Sequence, residues 1–403
     1  MLYHLLLGQI DFLRIKPRKA HPAKGLLSAV FLYPFFGIGE LQADDDTPNN
    51  EKRRNRTLNI TEYGYKDFES IGSTEGTPAR VILAQKSRFK IVCEYGETYA
   101  FLKSSAYKAD SQPLPTVGDF VLIDFNPAGD SRIIQTLERK TFFSRSDPDP
   151  NKLPQAVCAN FDYVFIAQSM NHDFNPRRLE RYLALARESG AQPVILLTKA
   201  DLAENPSPFL SSVISVAPDV PAHALSVKTG FGLDSLSPYL TPGKTVVILG
   251  SSGVGKSSLV NFLMGEEVMK VNSVREDDDK GRHTTTHREL FMLKNGAMLI
   301  DTPGMRQLGM TGITDGIDLA FPDVERFLGK CRFSDCSHTC EPGCAIQRAI
   351  QSGELSEKRF KSYLSLQSEA HYAESKAEFL QKKRSFMKEI SKYSRKRKNR
   401  YDD

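Results

Sequence analysis

The sequence predicts a multidomain chain: an all-β barrel of the OB type, a circularly permuted α/β domain of the P-loop class, and a mostly helical, zinc-binding carboxy-terminal domain. Three observations predict it. Short strands separated by turn residues fill the segment before residue 146. A strand, glycine loop and helix come next, but behind the motifs that such a loop ordinarily precedes. Four of the six cysteines then crowd into one fragment. With 403 residues and 40% hydrophobic content, two or three soluble domains are expected. No segment has the length of a transmembrane helix.

Residues 1–62 read as an extension. Lys16, Arg18, Lys19 and Lys24 precede an apolar run over 25–39 that Pro34 interrupts, followed by Asp44, Asp45 and Asp46. The pattern superficially resembles a signal peptide. Pro34 and the shortness of the run argue against an export or membrane segment, so the extension is expected to be disordered or to reflect a start assigned too early.

Residues 63–146 form the barrel. Apolar runs over 79–84, 89–94, 99–102 and 119–123 are broken at Tyr95-Gly96-Glu97 and Pro115-Thr116-Val117-Gly118-Asp119, giving about five strands. Barrels of this size commonly bind RNA through charged and aromatic surfaces. Arg88, Lys90, Arg132, Arg139 and Lys140 are the candidate charges; a barrel that only packs on its neighbour is the bland alternative.

Residues 147–312 carry the nucleotide motifs. The buried-strand run 193–197 ends in Thr198-Lys199-Ala200-Asp201, and Ser226-Val227-Lys228 lies beyond it. A carboxylate suits guanine, because it accepts from both N1–H and the N2 amine; adenine offers neither donor to Asp201. Lys199 can lay its apolar stem on the base. Thr198 stands where Asn is usual, so local bracing is expected to weaken while base reading survives.

The apolar run 245–249 then feeds Gly250-Ser251-Ser252-Gly253-Val254-Gly255-Lys256-Ser257, with Ser258 opening the helical stretch 258–263. Glycines let backbone amides curl around phosphates at the positive end of a helix. Lys256 is expected to reach the β and γ phosphates and Ser257 to ligate Mg²⁺. Asp301 ends another apolar strand and is expected to hold the same ion, with the Gly304 amide at the γ-phosphate. The order is base, base, phosphate, switch I, switch II. This makes the domain a circularly permuted GTPase domain, so the chain beyond switch II is tethered to the γ-phosphate sensor. Met305 occupies the position where Ras-like enzymes place a water-orienting glutamine. His283, just before Thr284, Thr285 and Thr286, is the nearest substitute; a solvated loop histidine is its rival reading.

Residues 313–374 hold Cys331, Cys336, His338, Cys340 and Cys344. The best tetrahedral Zn²⁺ set is Cys331, Cys336, His338 and Cys344, with Cys340 as a substitute. Disulfides are the alternative, disfavoured because a Mg²⁺-GTP protein works in a reducing compartment. The tail, 375–403, is rich in Lys and Arg around Phe379, Phe386 and Tyr393, as suits a polyanion such as RNA. The net charge of +5 conceals that concentration.

The permuted motifs, the upstream PxVGDxV, the string Gly281-Arg282-His283-Thr284-Thr285-Thr286 and the cysteine fragment ending Glu341-Pro342-Gly343-Cys344 together resemble the RsgA (YjeQ) family of small ribosomal subunit biogenesis GTPases. The likeness runs from about Tyr63 to Leu366. It implies a cytoplasmic, monomeric GTPase with no membrane attachment, binding GTP and GDP, one Zn²⁺ and nucleotide-bound Mg²⁺. It further implies that the small subunit and its rRNA stimulate hydrolysis during late maturation. The same resemblance gives His283 a catalytic part and makes Thr285 the switch I threonine that joins Ser257 and Asp301 at Mg²⁺. Three rivals stand beside it. Large-subunit assembly GTPases share the permuted order but lack barrel and cysteine cluster. A non-hydrolysing GTP-dependent RNA-binding switch is compatible with Met305. A zinc-dependent nucleic-acid hydrolase fails because four ligands leave no position for water.

Overall fold

The computed structural model describes residues 59–65, 76–85, 87–103, 113–145, 155–266, 288–301, 313–339, 341–375 and 379. The extension up to residue 58, His283 and the three threonines after it, Gly304, Met305, Cys340 and all of the basic tail but Ser375 and Phe379 lie outside the described residues.

Five strands close the barrel: β1 (Thr77–Ala84), β2 (Arg88–Cys93), β3 (Gly96–Leu102), β4 (Phe120–Asp124) and β5 (Ser131–Thr136). They pair in the ring order β1-β2-β3-β5-β4, and β4 returns to β1. The β3–β5 pair is parallel and the others are antiparallel. Side chains alternate across a strand. Thus Ala79 and Val81, Phe89, Ile91 and Cys93, and Val121 and Ile123 all point inward and fill the barrel.

A two-stranded ribbon, β6 (Phe142–Arg145) with β7 (Gln155–Ala159), leads into the second domain. That domain contains β8 (Tyr163–Ser169), α1 (Pro176–Glu188), β9 (Gln192–Thr198), α2 (Ser207–Val216), β10 (Ala222–Ala224), β11 (Thr245–Gly250), α3 (Lys256–Met264), β12 (Glu289–Met292) and β13 (Met298–Asp301). The sheet runs β10-β9-β8-β11-β13-β12, parallel except for β12. Its strands are apolar throughout because both faces are covered. Phe165, Leu196, Val246, Ile248 and Leu299 face α3. Ile166, Ile195, Val247, Leu249 and Ile300 face α1 and the carboxy-terminal helices. β11 is central: β8, β9 and β10 lie to one side, and β13 and β12, which come after it in sequence, to the other. The order therefore reverses at β11, the switch point where open α/β sheets bind ligands beyond their strand ends.

Barrel and sheet are joined by a buried guanidinium. Arg80 alternates outward from the barrel core, yet it is only 1% exposed. It donates to the carbonyls of Gly118 (3.2 Å), Tyr63 (2.7 Å) and Asn160 (2.7 Å) and lies 4.8 Å over the Phe120 ring. Burial lowers its pKa to about 10, opposed by Asp162 and Asp119, so it stays charged at neutral pH. Beside it, the PxVGD segment proves to be a docking loop rather than a simple surface turn. Val117 bridges Cys158, and the Ala159 amide donates to the Val117 carbonyl at 3.0 Å. Asp119 turns inward, accepting from the Thr116 amide (2.7 Å) and from both arms of Arg139 (2.8 and 2.7 Å). Arg139 is therefore committed internally, and among the expected RNA-facing charges Arg88 and Lys90 pair with Asp130 and Glu97.

The carboxy-terminal part is helical: α4 (Thr314–Ala320), α5 (Pro322–Glu325), α6 (Ala345–Gln351) and a helix over 357–375. It docks on α1. Gly316 allows the closest approach, since a Cβ there would stand 2.3 Å from the Ala184 carbonyl oxygen, and its amide donates to Glu188 at 2.7 Å. Arg359, sandwiched against the Phe321 ring, binds the buried Glu180 at 2.8 Å and Asp323 at 3.1 Å.

Gly118 adopts φ +89°, and a Cβ at that position would lie 2.0 Å from the Ala159 carbonyl oxygen. Gly118→Ala should cost about 3 kcal/mol through left-handed strain and overpacking, read as a lower urea midpoint for the barrel–sheet unit.

Candidate functional site

The phosphate loop bends between two regular elements. β11 ends at Gly250, and α3 begins at Lys256 with Gly255 as its N-cap. Gly250, Gly253 and Gly255 all have positive φ (156°, 72° and 101°), the conformations that turn successive amides toward one concavity. The Lys256 ammonium donates back to the Gly250 carbonyl at 2.8 Å and to that of Ser251, so it lies across the loop mouth. Ser257 stands in the first turn of α3. Asp301 is the last residue of β13, beside β11 in parallel register (Val247 opposite Ile300). The cleft thus gathers loop amides, an ammonium, a hydroxyl and a carboxylate at one sheet edge, a constellation suited to an anion with a divalent cation.

The segment expected to read the base meets that loop directly. Thr198 ends β9, and its buried hydroxyl reaches the Val254 carbonyl of the phosphate loop at 2.6 Å and the Gln168 carbonyl at 3.3 Å. Bracing between the two motifs is therefore present with threonine in place of asparagine. Lys199 takes the left-handed conformation (φ 57°), which turns the chain so that Asp201 sits on a short 3₁₀ turn. The Ser226 hydroxyl donates to Asp201 at 2.6 Å and accepts from the Thr229 amide. One carboxylate oxygen is thus held and its plane oriented. Val227 packs against the sheet's α3-side core and Lys228 is exposed.

Sequence reasoning missed Asp173, in the turn before α1. It accepts from the Ser251 hydroxyl at 3.0 Å and pairs with Arg178 at 3.1 Å. Asn175 followed by Pro176 is a helix-start signal that could have marked this turn; Asn175 caps α1 by accepting from the Arg178 amide.

Cys331, Cys336, His338 and Cys344 converge, with their ligand atoms all within 4.8 Å of one another. Cys331 Sγ lies 3.4 Å from His338 Nδ1 and 3.9 Å from Cys344 Sγ. A tetrahedral ion bound at ~2.3 Å sets sulfurs about 3.8 Å apart, so the spacing fits a metal. The amides of Ala345 and Gln347 donate to Cys331 and Cys344 Sγ, and Gln347 Nε2 holds the His338 carbonyl. Burial opposes ionisation of Cys331, but the Ala345 amide and the two neighbouring thiols outweigh it and its pKa is lowered. Cys336 is pushed up to about 12 by desolvation and by sharing protons with those thiols. Such a group can hold a metal ion. The other cysteines among the described residues, Cys93 and Cys158, are buried in the core, where burial raises their pKa values.

A glycine loop between strand and helix, hydrogen-bonded to a carboxylate-bearing turn that precedes it in sequence, fits a circularly permuted P-loop GTPase. The comparisons agree. The model of the RsgA GTPase family matches residues 136–311. The small ribosomal subunit biogenesis GTPase RsgA 2 of Listeria monocytogenes serotype 4b (strain F2365) is 44% identical over 319 residues, 78% of this chain and 90% of the relative. YjeQ from Thermotoga maritima superposes with a TM-score of 0.55 at 25% identity, covering 72% of this chain and 96% of that one. YloQ, described as a circularly permuted GTPase, shares the fold with a TM-score of 0.52 at 24% identity, covering 73% and 95%. The chain belongs to the RsgA family of GTPases, and it is a GTP hydrolase.

Thr198→Val keeps the shape but leaves the buried Val254 carbonyl without its donor. The change should cost about 1–2 kcal/mol in stability and weaken nucleotide binding, checked by urea unfolding and nucleotide titration.

Proposed function

We propose that this chain binds GTP at the cleft between the phosphate loop and the Asp201 turn, hydrolyses it to GDP, and acts in late maturation of the small ribosomal subunit. The observation that carries the reading is a combination on one chain: a Ser226-held Asp201 carboxylate, an upstream closed barrel and a Cys₃His group. The relatives' names support the partner. The large-subunit alternative lacks that barrel and cysteine cluster.

In this reading Asp201 accepts from guanine N1–H and the N2 amine, with Ser226 fixing its orientation and the Lys199 stem against the ring. Val227 and Lys228 line the same pocket. Backbone amides from Gly250 to Ser258 and the Lys256 ammonium bind the phosphates, and the Gly304 amide meets the γ-phosphate. Ser257, Thr285 and Asp301 would hold a Mg²⁺ ion, which neutralises phosphate charge. His283 orients the attacking water in place of the glutamine absent at Met305. Three thiols and an imidazole suit Zn²⁺, with no position left for a reacting water. Exposed Arg132 and Lys140, with Phe101 43% and Tyr95 60% exposed on the barrel, suit rRNA through charge and stacking. No helix among the described residues is long and apolar enough to cross a membrane. We place the protein in the cytoplasm as a monomer.

Purified protein should contain about one Zn²⁺ per chain. Cys336→Ser should lower the thermal stability of the carboxy-terminal part while sparing GDP affinity, measured by metal analysis, melting and titration.

Basal hydrolysis should be slow, and isolated small subunits should accelerate it. His283→Ala should keep GTP and subunit binding yet lose most of the stimulated rate, because an interaction made only in the transition state affects turnover more than affinity. A turnover assay with small and large subunits, paired with co-sedimentation, tests this. Equal response to both subunits would overturn the partner assignment, and a fully stimulated His283→Ala the role of that residue.

A further inference from the structure

The turn before α1 makes a contact with the phosphate loop that lies outside the nucleotide motifs read from this sequence. Ser251 is the residue just after Gly250, where the chain leaves β11 and begins to curl. Its hydroxyl donates to Asp173 Oδ2 at 3.0 Å, across 78 residues of sequence. Asp173 is itself fixed: Arg178 reaches both of its carboxylate oxygens, at 3.1 and 3.3 Å. The Asp173 amide in turn donates to Asn171 Oδ1 at 3.0 Å, and Asn171 also accepts from the Ser169 hydroxyl at the end of β8. A rigid turn, hung from β8 and from the first turn of α1, therefore grips the side chain at the start of the loop. The Lys256 ammonium also donates to the Ser251 carbonyl.

We propose that Asp173 is a positioning residue for nucleotide binding: it fixes Ser251, and through it the first turn of the phosphate loop, in the conformation that presents amides to the phosphates. The proposal rests on the GTP-binding reading of that loop. A loop whose amides already converge loses less conformational freedom on binding than one that must be ordered by the ligand. The carboxylate also carries a cost, since negative charge near a polyphosphate site is repulsive. Arg178 offsets that charge, and the Ser251 hydroxyl needs only an acceptor, not an anion. The two contributions therefore have opposite signs and can be separated by substitution. Asn at 173 keeps an acceptor for Ser251 and removes the charge; Ala removes both.

The experiment measures affinity of the full-length protein for fluorescently labelled GDP and GTP, with kcat and KM for GTP. Asp173→Ala and Ser251→Ala should each weaken both nucleotides about tenfold, the size expected for a hydrogen bond to a charged acceptor. Asp173→Asn should bind within about twofold of the unmodified protein. The double variant Asp173→Ala/Ser251→Ala should be no weaker than either single one, because both remove the same bond. The loop holds ground state and transition state alike, so KM should rise while kcat at saturation stays the same. Equal affinities for Asp173→Asn and Asp173→Ala, additive losses in the double variant, or a fall in kcat without a change in KM would each overturn the proposal. Failure of the unmodified protein to bind either nucleotide would instead overturn the GTP-binding reading itself.

Discussion

A charged group that cannot reach water constrains how the barrel and the nucleotide domain meet. Arg80 is wholly buried, and each of its donors must find an acceptor inside the protein. Three carbonyls from separate segments, with the Met298 sulfur beside them, accept from it: Tyr63 before the barrel, Gly118 in the docking loop and Asn160 at the entrance to β8. A change in the angle between the domains would break more than one of these bonds at once. The close approach of Gly118 to Ala159 lies beside that guanidinium and is geometrically tied to it, because Gly118 supplies both the contact and an acceptor. Strand β8, against which the central strand β11 pairs, begins only three residues after Asn160. The barrel is thus seated close to the strand that supports the phosphate loop.

Helix α1 is the second organising element. Its first turn carries Arg178, whose partner Asp173 holds the phosphate loop. Its body and carboxy end carry Glu180, Arg181 and Glu188, which bind Arg359, Glu369 and the Gly316 amide of the carboxy-terminal helices. The permuted order explains why this arrangement is available. In this chain β8 and α1 are made before the phosphate loop, and the chain continues from β13 toward α4. The part with the Cys₃His group is therefore covalently downstream of β13 while it packs on α1, a helix that precedes the phosphate loop in sequence.

Much of the candidate cleft was legible because its chemistry is local. The phosphate loop is spelled by glycine spacing between an apolar strand run and a helix; the observed β11 takes in Gly250 and α3 begins two residues earlier than the apolar run suggests, at Lys256. The four side chains that could hold a metal were legible because thiols are scarce elsewhere in the chain. Four of the five barrel strands were readable from short apolar runs and turn residues; the run Ser131–Thr136 of β5 was not singled out. Other features were not readable. PxVGD has the composition of a turn and it does turn, but the residue that makes it a junction, Ala159, is far along the sequence. Arg139 looked like an RNA-facing charge; its partner is a buried Asp119 that only the folded loop brings within 2.8 Å. Thr198 looked like a weakened version of its motif, yet its hydroxyl spans Gln168 and Val254.

By itself, then, the sequence determined which residues can bend around phosphate, accept from guanine or ligate a metal, since those capacities belong to residue types at short spacing. It also determined the permuted order, which is a property of the chain and not of its packing. Only the tertiary structure decided which polar groups are committed to one another. Arg80 meets Met298 across 218 residues and Arg359 meets Glu180 across 179. Such pairings are chosen by burial: a charge removed from water must take whichever acceptors the packed elements bring to it, and no spacing along the chain records which those will be.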